Sequence, residues 1–514
     1  MMKWLTLSAV LLAFFCTTGS SYEVLLAAPV STSYVNYVFC NIARALCTRG
    51  NKVTIISMHP PNFSHENFTI VRITTKKTLL KDLNLFEVNS TTLNAYVADL
   101  VENTAETMWE GFKVKDILEE KEKFDAIIIP AFLNEIAYPF LEDFAGVFVS
   151  LYSQGAEHYI VSHANETSYT PINPSLDEPY FGEYSLQDKF LYSVSALNNL
   201  NVENQGIFPG MENILGMNGY EMDNLAKYRG LSRLNLVDGH FALNGATPLM
   251  PKQIEIGTIV AKPAGDVPLF VEEFLRAAKG DGIVYVSFGT HTNSSEIPKS
   301  FKLSLLTALA QLPYKVLWQY DGMDLDKYDN ILLRKIMPQQ DILGHPDTRA
   351  FISHCSLPAI HEAAYHGVPV LGIPVALDQH RNAARLVEKG LGTVIDWRYA
   401  TNDSIVNAVV SLLRDQTYSE NMKQVSRLIK DQKESPADRA AWWIEHVIRQ
   451  NGAPHMQYDP AQHAVRSYCD NDLLKLWATL GLFVGFAAGA VLVLMLRALY
   501  DCVFVTSSTK QKEE

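Results

Sequence analysis

The stretch FISHCSLPAIHE, residues 351–362, indicates the fold of this chain. Its apolar start predicts a buried strand that ends in a polar turn, and a helix is expected to begin near Pro358. A second apolar strand follows at residues 368–373. A strand–helix–strand order of this kind is typical of a parallel sheet. Since free N–H groups and the helix dipole meet where such a helix begins, the turn is suited to binding an anion.

Polar residues near this turn predict where a ligand would bind. Glu362 lies on the expected helix, and Asp378 and Gln379 follow the second strand, so their side chains are available for sugar hydroxyls. The alternative is an ordinary strand–helix unit without a ligand, in which Ser356 is the N-cap and Pro358 the first helical residue. In that alternative Glu362 is a solvated helix residue, and the Asp378–Gln379 pair caps the next helix.

The length and pattern of the chain predict two such units. At 514 residues the chain exceeds one ordinary hydrophobic core. Strands and helices alternate from residue 23 onward, and they alternate again after residues 246–270, whose prolines are typical of an interdomain linker. We therefore expect an α/β protein with two doubly wound, Rossmann-like parallel-sheet domains that face a cleft. Residues 165–215 are expected to form a loop beside that cleft.

Both ends of the chain predict a membrane protein of the secretory pathway. Residues 1–21 combine Lys3, an apolar run and small residues, which is typical of a signal peptide. Residues 476–496 carry no charge and are long enough to cross a bilayer as a helix. With residues 456–475 as the juxtamembrane segment, we expect single-pass type I topology, a lumenal catalytic region and a cytosolic tail at 497–514.

The tail and the glycosylation motifs indicate the endoplasmic reticulum membrane. Lys510 and Lys512 occupy the positions of a dilysine retrieval signal. A lumenal location also agrees with N-glycosylation sequons on a glycoprotein, which begin at Asn62, Asn67, Asn89, Asn165, Asn293 and Asn402. The net charge of −13 argues against nucleic acid as a partner, and the six cysteines do not form a disulfide framework.

Several motifs resemble the UDP-glycosyltransferases, the animal membrane-bound enzymes that move a sugar from a UDP-sugar to small lipophilic acceptors, often in detoxification. The likeness is weak in the N-terminal half and strong in the C-terminal half, where it covers residues 286–290, 337–346, 351–390 and 438–445. It implies the GT-B arrangement, with residues 22–245 binding the acceptor and residues 271–455 binding the UDP-sugar donor. A helix near residues 438–449 would cross back onto the first domain.

The resemblance also implies a donor site in the second domain. The implied contacts are Gly289, Thr290, His354 and Ser356 with the diphosphate, Gln339 with uracil, Glu362 with ribose, and Asp378 and Gln379 with the sugar. This chain departs from the family pattern at four positions of the donor site. Ile336 replaces a stacking tryptophan, Ser356 a glycine, Pro358 an asparagine and Ala359 a serine. Base stacking on an aromatic ring contributes about 1–3 kcal/mol, so we expect weaker UDP recognition.

The expected catalytic base is also altered. In the family a histidine after the first strand takes the acceptor proton, and an aspartate from a later strand orients it. Tyr34 stands at the histidine position and Pro130 at the aspartate position. A phenol with a pKa of about 10 is a poor base at neutral pH. Glu135 lies nearby in sequence, so Tyr34 and Glu135 are the candidate catalytic residues.

Two functions therefore fit the sequence. The first is a UDP-glycosyltransferase that uses the UDP-sugar as co-substrate, with no further cofactor and no metal, since helix N-termini and His354 would hold the diphosphate. The second is a catalytically weak or silent member of the family, which binds a lipophile or partners an active transferase. The altered base favours the second function, whereas the retained Asp378 and Gln379 favour the first. Either function is compatible with a homo- or hetero-oligomer.

The topology can be tested with sealed microsomes. Protease added outside should trim only the tail beyond Arg497, because the bilayer protects the lumenal part. The protected fragment should lose mass on enzymatic deglycosylation. Cleavage within residues 62–89 under the same conditions would contradict type I topology.

Overall fold

The computed structural model describes residues 21–75, 83–88, 90–153, 208–222, 224–246, 249–277, 281–290, 292–293, 295–322, 325, 328–457 and 471–500. The predicted signal peptide up to residue 20, the sequons at Asn89 and Asn165, most of residues 165–215 and the tail lysines lie outside these ranges. Of the remaining sequons, Asn62 and Asn293 are exposed, and Asn67 and Asn402 are partly exposed.

The strands of the described residues form two sheets. The first sheet contains β1 Glu23–Ala28, β2 Lys52–Ser57, β3 Phe68–Arg72, β4 Ala126–Pro130, β5 Val147–Tyr152, β6 Leu234–Val237 and β7 Gln253–Glu255. The second sheet contains β8 Ile283–Ser287, β9 Lys315–Gln319, β10 Ile331–Arg334, β11 Thr348–Ser353, β12 Val370–Gly372 and β13 Gly392–Val394.

The helices that accompany the first sheet are α1 Ser33–Thr48, α2 Ser90–Glu110, α3 Phe112–Glu119, α4 Phe208–Met217, α5 Leu225–Arg229 and α6 Phe241–Asn244. Those that follow in the chain are α7 Leu269–Ala277, α8 Lys299–Ala310, α9 Gln339–Leu343, α10 Leu357–His366, α11 Gln379–Glu388, α12 Asn402–Arg414, α13 Gln416–Lys430, α14 Pro436–Arg449 and α15 Asn471–Tyr500. Short 3-10 helices cover Lys121–Lys123, Glu135–Leu141 and Pro454–Met456.

Every strand pair in the two sheets is parallel, which confirms the predicted doubly wound folds. The strand orders are β3-β2-β1-β4-β5-β6-β7 and β10-β9-β8-β11-β12-β13. The order reverses between β1 and β4 and between β8 and β11. Ligands of such sheets bind at the carboxyl ends of the strands, beside these reversals.

Two segments differ from the sequence-based expectation. The strand Gln253–Glu255 lies inside the predicted linker 246–270 and pairs with β6, so the first sheet continues to Glu255. Residues 208–215 were expected to be a loop but belong to α4, whose Met211 and Leu215 are buried in the core. Apolar residues spaced four apart place both side chains on one helix face.

The helix α14 packs onto the first sheet although it lies near the end of the chain. Ala440, Ala441 and Ile444 share one buried cluster with Phe39 and Ile42 of α1. A charged group reinforces this packing. Glu445 accepts hydrogen bonds from Arg49 Nη2 at 2.8 Å and from the buried Asn51 Nδ2 at 2.8 Å.

The last helix is described by itself, because residues up to Gln457 form one compact unit and α15 belongs to another. Residues Thr479–Leu499 of α15 have a mean hydropathy of 2.4 and bury none of their surface in the protein. This helix is long and apolar enough to cross a membrane, as predicted for residues 476–496.

Replacing Glu445 tests how α14 is held. Hydrogen bonds to charged groups contribute roughly 1.5–3 kcal/mol, so Glu445→Ala should lower the free energy of unfolding by about 2 kcal/mol. Burial alone would raise the pKa of Glu445, but the bonds from Arg49 and Asn51 lower it below 4.5. The loss should therefore be present above pH 4.5 and shrink as the pH falls below it.

Denaturant unfolding of the full chain measures this difference. The matched control is Glu420→Ala, which removes an exposed glutamate of α13 and should change the free energy of unfolding by less than about 0.5 kcal/mol. Equal effects of the two variants would contradict the role of Glu445.

Candidate active site

Tyr34 is paired with a carboxylate that the sequence analysis did not identify. Its hydroxyl donates a hydrogen bond to Oδ2 of Asp238. Tyr34 is the second residue of α1, whose N-cap Thr32 accepts a hydrogen bond from the backbone N–H of Val35. Asp238 directly follows β6 and is completely buried. The signal in the sequence was the short segment Leu234–Val237, three of whose four residues are apolar, followed directly by an aspartate at the carboxyl end of the strand.

Burial determines the charge state of this pair. It raises the pKa of Asp238 to about 7, although hydrogen bonds from Tyr34 and from the backbone of Ile259 act in the opposite direction. Burial also raises the pKa of the Tyr34 hydroxyl well above 10, and the negative charge of Asp238 raises it further. The shared proton therefore resides on Tyr34, and the phenol by itself is no general base.

The other candidate base, Glu135, is already paired. Its Oε1 lies 2.5 Å from Nη2 of Arg229 on α5, and both side chains are buried. A buried carboxylate that neutralises a guanidinium is poorly suited to take a proton, because its protonation would leave Arg229 uncompensated. This pairing contradicts the predicted catalytic role of Glu135. Arg229 lies 94 residues further along the chain, so the sequence did not reveal the pair.

The helix α10 begins directly after β11, as predicted, and the carboxylate of Asp378 lies beside its start. Ser356 is the N-cap without a side-chain hydrogen bond, and Pro358 occupies the first turn. Burial raises the pKa of the Asp378 carboxyl, and the nearby backbone of Leu357 at the start of α10 acts in the opposite direction. Asn382 holds that carboxylate by a bond of 2.8 Å to its Oδ2. A carboxylate of the chain itself thus lies beside the start of this helix.

Gly289 and His354 are brought together as the resemblance implied. Gly289 has a φ of 81°, which favours glycine, and a Cβ there would lie 2.8 Å from the His354 ring. Its N–H donates to Ser287 Oγ at 3.2 Å. Thr290 follows and is exposed. The turn after β8 and the turn after β11 therefore lie against each other. We call this place the corner between Gly289 and His354, because the Gly289 backbone is next to the His354 imidazole ring there.

A second polar pair lies on α9 and α10. Gln339 Nε2 donates a hydrogen bond to Glu362 Oε2. Burial raises the pKa of Glu362 to about 7, against hydrogen bonds from Gln339 and Gln340 that lower it. Ile336, at the position of the expected tryptophan, is 79% exposed. The surface where a base would stack is therefore open to solvent.

The side-chain oxygen of Gln379 has a structural role. Its Oε1 accepts hydrogen bonds from the backbone N–H groups of Val375 at 2.8 Å and Ala376 at 3.1 Å. Because Gln379 is almost fully buried, these bonds fix the loop between β12 and α11.

Asp238 of the first domain contacts α10 of the second domain. Its Oδ1 lies 4.0 Å from Nδ1 of His361 on α10, and neither side chain is exposed. Burial lowers the pKa of His361 to about 3, so the ring is neutral and the contact is no ion pair. The charges of Glu362 and Asp378 also act on Tyr34. The structure therefore brings the Tyr34–Asp238 pair and two of the predicted donor-site residues into one place.

Comparisons with known proteins agree on the kind of molecule this is. The family model described as "UDP-glucoronosyl and UDP-glucosyl transferase" matches residues 213–503. The chain is 28% identical to UDP-glycosyltransferase UGT5 of Dactylopius coccus over 87% of each chain. It is 38% identical to UDP-glucuronosyltransferase 2B15 of Homo sapiens over 44% of this chain and 43% of that protein.

Solved structures share the fold. A UDP-glucosyltransferase from Polygonum tinctorium has a TM-score of 0.59 at 15% identity, covering 85% of this chain and all 100% of that chain. The calicheamicin glycosyltransferase CalG4 has a TM-score of 0.55 at 19% identity, with coverage of 85% and 100%. These likenesses confirm the predicted GT-B arrangement of two Rossmann-like domains.

The raised pKa of Glu362 makes stability depend on pH. A carboxyl group whose pKa rises on folding contributes most below its unfolded pKa of 4.5, and the contribution is lost as the pH rises through about 7. Replacement of Glu362 by glutamine should therefore flatten the decline of the unfolding free energy over this window, by on the order of 3 kcal/mol.

Denaturant unfolding on either side of the window measures the decline. The exposed Glu420 provides the matched control, since Glu420→Gln should leave the decline unchanged. A decline in Glu362→Gln as steep as in the unaltered protein would show that Glu362 is not the responsible group.

Proposed function

The chain belongs to the UDP-glucoronosyl and UDP-glucosyl transferase family, and we propose that it transfers a sugar from a UDP-sugar to a hydroxyl group of a small lipophilic acceptor. One observation carries this proposal. The Tyr34–Asp238 pair of the first domain lies within electrostatic range of Glu362 and Asp378 of the second. A transferase must hold the acceptor proton and the donor sugar next to each other, whereas a binding protein has no need of this proximity.

The donor side of the proposed reaction rests on the corner between Gly289 and His354. Backbone N–H groups and an imidazole there would stabilise the diphosphate as it leaves. Glu362, held by Gln339, would accept hydrogen bonds from the ribose hydroxyls. In this proposal the sugar lies towards Asp378 and the amide nitrogen of Gln379.

The acceptor oxygen would attack the anomeric carbon directly from the side of Tyr34. A single displacement of this kind inverts the configuration at that carbon. The UDP-sugar is the co-substrate, and no further cofactor enters the proposal. We also propose that the chain works in the endoplasmic reticulum membrane with its active site in the lumen. The apolar helix α15 and the dilysine spacing of Lys510 and Lys512 support this location.

One observation favours the second candidate function, a family member with weak or no turnover. Burial raises the pKa of Asp378, and the backbone of Leu357 at the start of α10 acts against that rise, so this carboxylate lies beside the helix end. An anion of the chain itself thus competes with the donor diphosphate for this helix end. Such a protein would bind a lipophile or assemble with an active transferase, and it would bind UDP weakly.

Restoring an aromatic ring at residue 336 tests the donor site. Ile336→Trp should tighten the binding of UDP by about tenfold, because base stacking contributes about 1–3 kcal/mol. Isothermal titration of the purified full chain with UDP measures the Kd. The control is Leu303→Trp on α8, which adds the same ring at another exposed position and should leave the Kd unchanged.

The titration also tests where uracil binds and whether the donor is a UDP-sugar. UDP binding that is unaffected by Ile336→Trp would show that uracil lies elsewhere. The absence of any UDP binding by either protein would contradict a UDP-sugar as the donor.

A further inference from the structure

We propose that Tyr34 and Asp238 together replace the missing catalytic histidine, with Tyr34 relaying the acceptor proton to Asp238. This inference rests on the proposed transferase function. The proton acceptor is then Asp238 at the end of β6. The family's aspartate is instead expected at the end of β4, where this chain has Pro130. The carboxylate is thus present in this chain, but it comes from another part of the first sheet.

The geometry explains why two residues are needed. Asp238 is completely buried, so an acceptor molecule cannot contact its carboxylate. Tyr34 retains part of its surface, and its hydroxyl contacts Oδ2 of Asp238. In this proposal the phenol oxygen, which already contacts the carboxylate, is the group that meets the acceptor hydroxyl. Asp238 then acts only through Tyr34.

The surrounding charges prevent Tyr34 from acting alone. Asp238, Glu362 and Asp378 all disfavour a negative charge on its oxygen. A free phenolate would therefore be costly, and the proton must leave the phenol as another arrives. His361 faces the other oxygen of Asp238 from α10 and is neutral, so it does not hold the carboxylate in its charged form. The backbone of Ile259 completes the surroundings of Asp238.

The proposed step balances in atoms and charge. A lone pair of the acceptor oxygen forms a bond to the anomeric carbon, while the bond from that carbon to the β-phosphate oxygen breaks and its electron pair leaves with UDP. The acceptor proton passes to the oxygen of Tyr34 as the phenol proton passes to Oδ2 of Asp238. Tyr34 ends as a neutral phenol and Asp238 as a carboxylic acid, which later loses its proton to solvent.

The proposal predicts a dependence on the acidity of the acceptor. An aliphatic alcohol must lose its proton during transfer, whereas 4-nitrophenol at mildly alkaline pH is already largely ionised. Tyr34→Phe and Asp238→Asn should therefore lower kcat for the alcohol by about 100- to 10,000-fold, the usual contribution of a general base. With 4-nitrophenol the same variants should lose less than about tenfold. The asparagine still accepts a hydrogen bond from Tyr34, so the local fold is retained.

The pH profile gives a second readout. In the unaltered protein, kcat/KM for the alcohol should rise through pH of about 7, because Asp238 must be ionised to accept the proton. This rise should be absent in Asp238→Asn. Matched controls are Tyr399→Phe and Asp403→Asn, which alter exposed residues and should keep both the rate and the profile of the unaltered protein.

The outcomes are distinct. If the unaltered protein transfers sugar and both variants retain its rate with the alcohol, another group is the base and the relay is wrong. If the variants lose both acceptors equally, the pair has only a structural role and the relay is again wrong. If the unaltered protein transfers sugar to neither acceptor, the proposed function fails, and the relay fails with it.

Discussion

The hydrogen bond from Tyr34 to Asp238 joins the ends of two strands that are separated by two others in the first sheet. A buried carboxylate without partners is unfavourable. Here the Tyr34 hydroxyl donates to Oδ2 of Asp238, while Oδ1 has no hydrogen-bond partner among the described residues. The position of α1, which carries Tyr34, and the turn after β6 are thus fixed relative to each other. The contact of Asp238 with His361 extends the same arrangement to the second domain.

Parallel strands explain why chemically active groups collect in this region. All strands of a sheet point their carboxyl ends to one edge, so residues far apart in sequence arrive together. Tyr34, Asp238 and Glu362 come from three distant parts of the chain. Each of them has a raised pKa in which burial is the leading cause. Such shifts are typical of sites where protons are exchanged, although buried structural networks show them too.

Much of the fold could be predicted from the sequence, whereas the site could be predicted only in part. Apolar runs such as residues 126–129 specify buried strands. The motifs also pointed to Gly289 and His354, which are neighbours in the structure. Asp238 was missed because β6 has only four residues, too few for a clear strand pattern. The bond between Glu135 and Arg229 depends on tertiary packing, which the order of residues does not reveal.

The substitutions in this chain have different physical consequences. Ile336, where the family resemblance implies a tryptophan, is exposed and offers no aromatic ring, so the proposed donor site predicts weaker recognition of uracil. At the base, Tyr34 has gained Asp238 as a partner. Beside the start of α10, the Asp378 carboxylate accepts a hydrogen bond from Asn382 Nδ2. In the proposed function, the site is therefore arranged around its own carboxylates, with Asp238 as the proton acceptor.

The stereochemistry of transfer tests the central claim most directly. The purified full chain is incubated with an α-linked UDP-sugar and an alcohol, and the anomeric proton coupling of the product is read by NMR. Direct displacement from the side of Tyr34 is expected to give a β-glycoside. An α-glycoside, or the absence of any glycoside although UDP binds, would contradict a single displacement assisted by Tyr34 and Asp238.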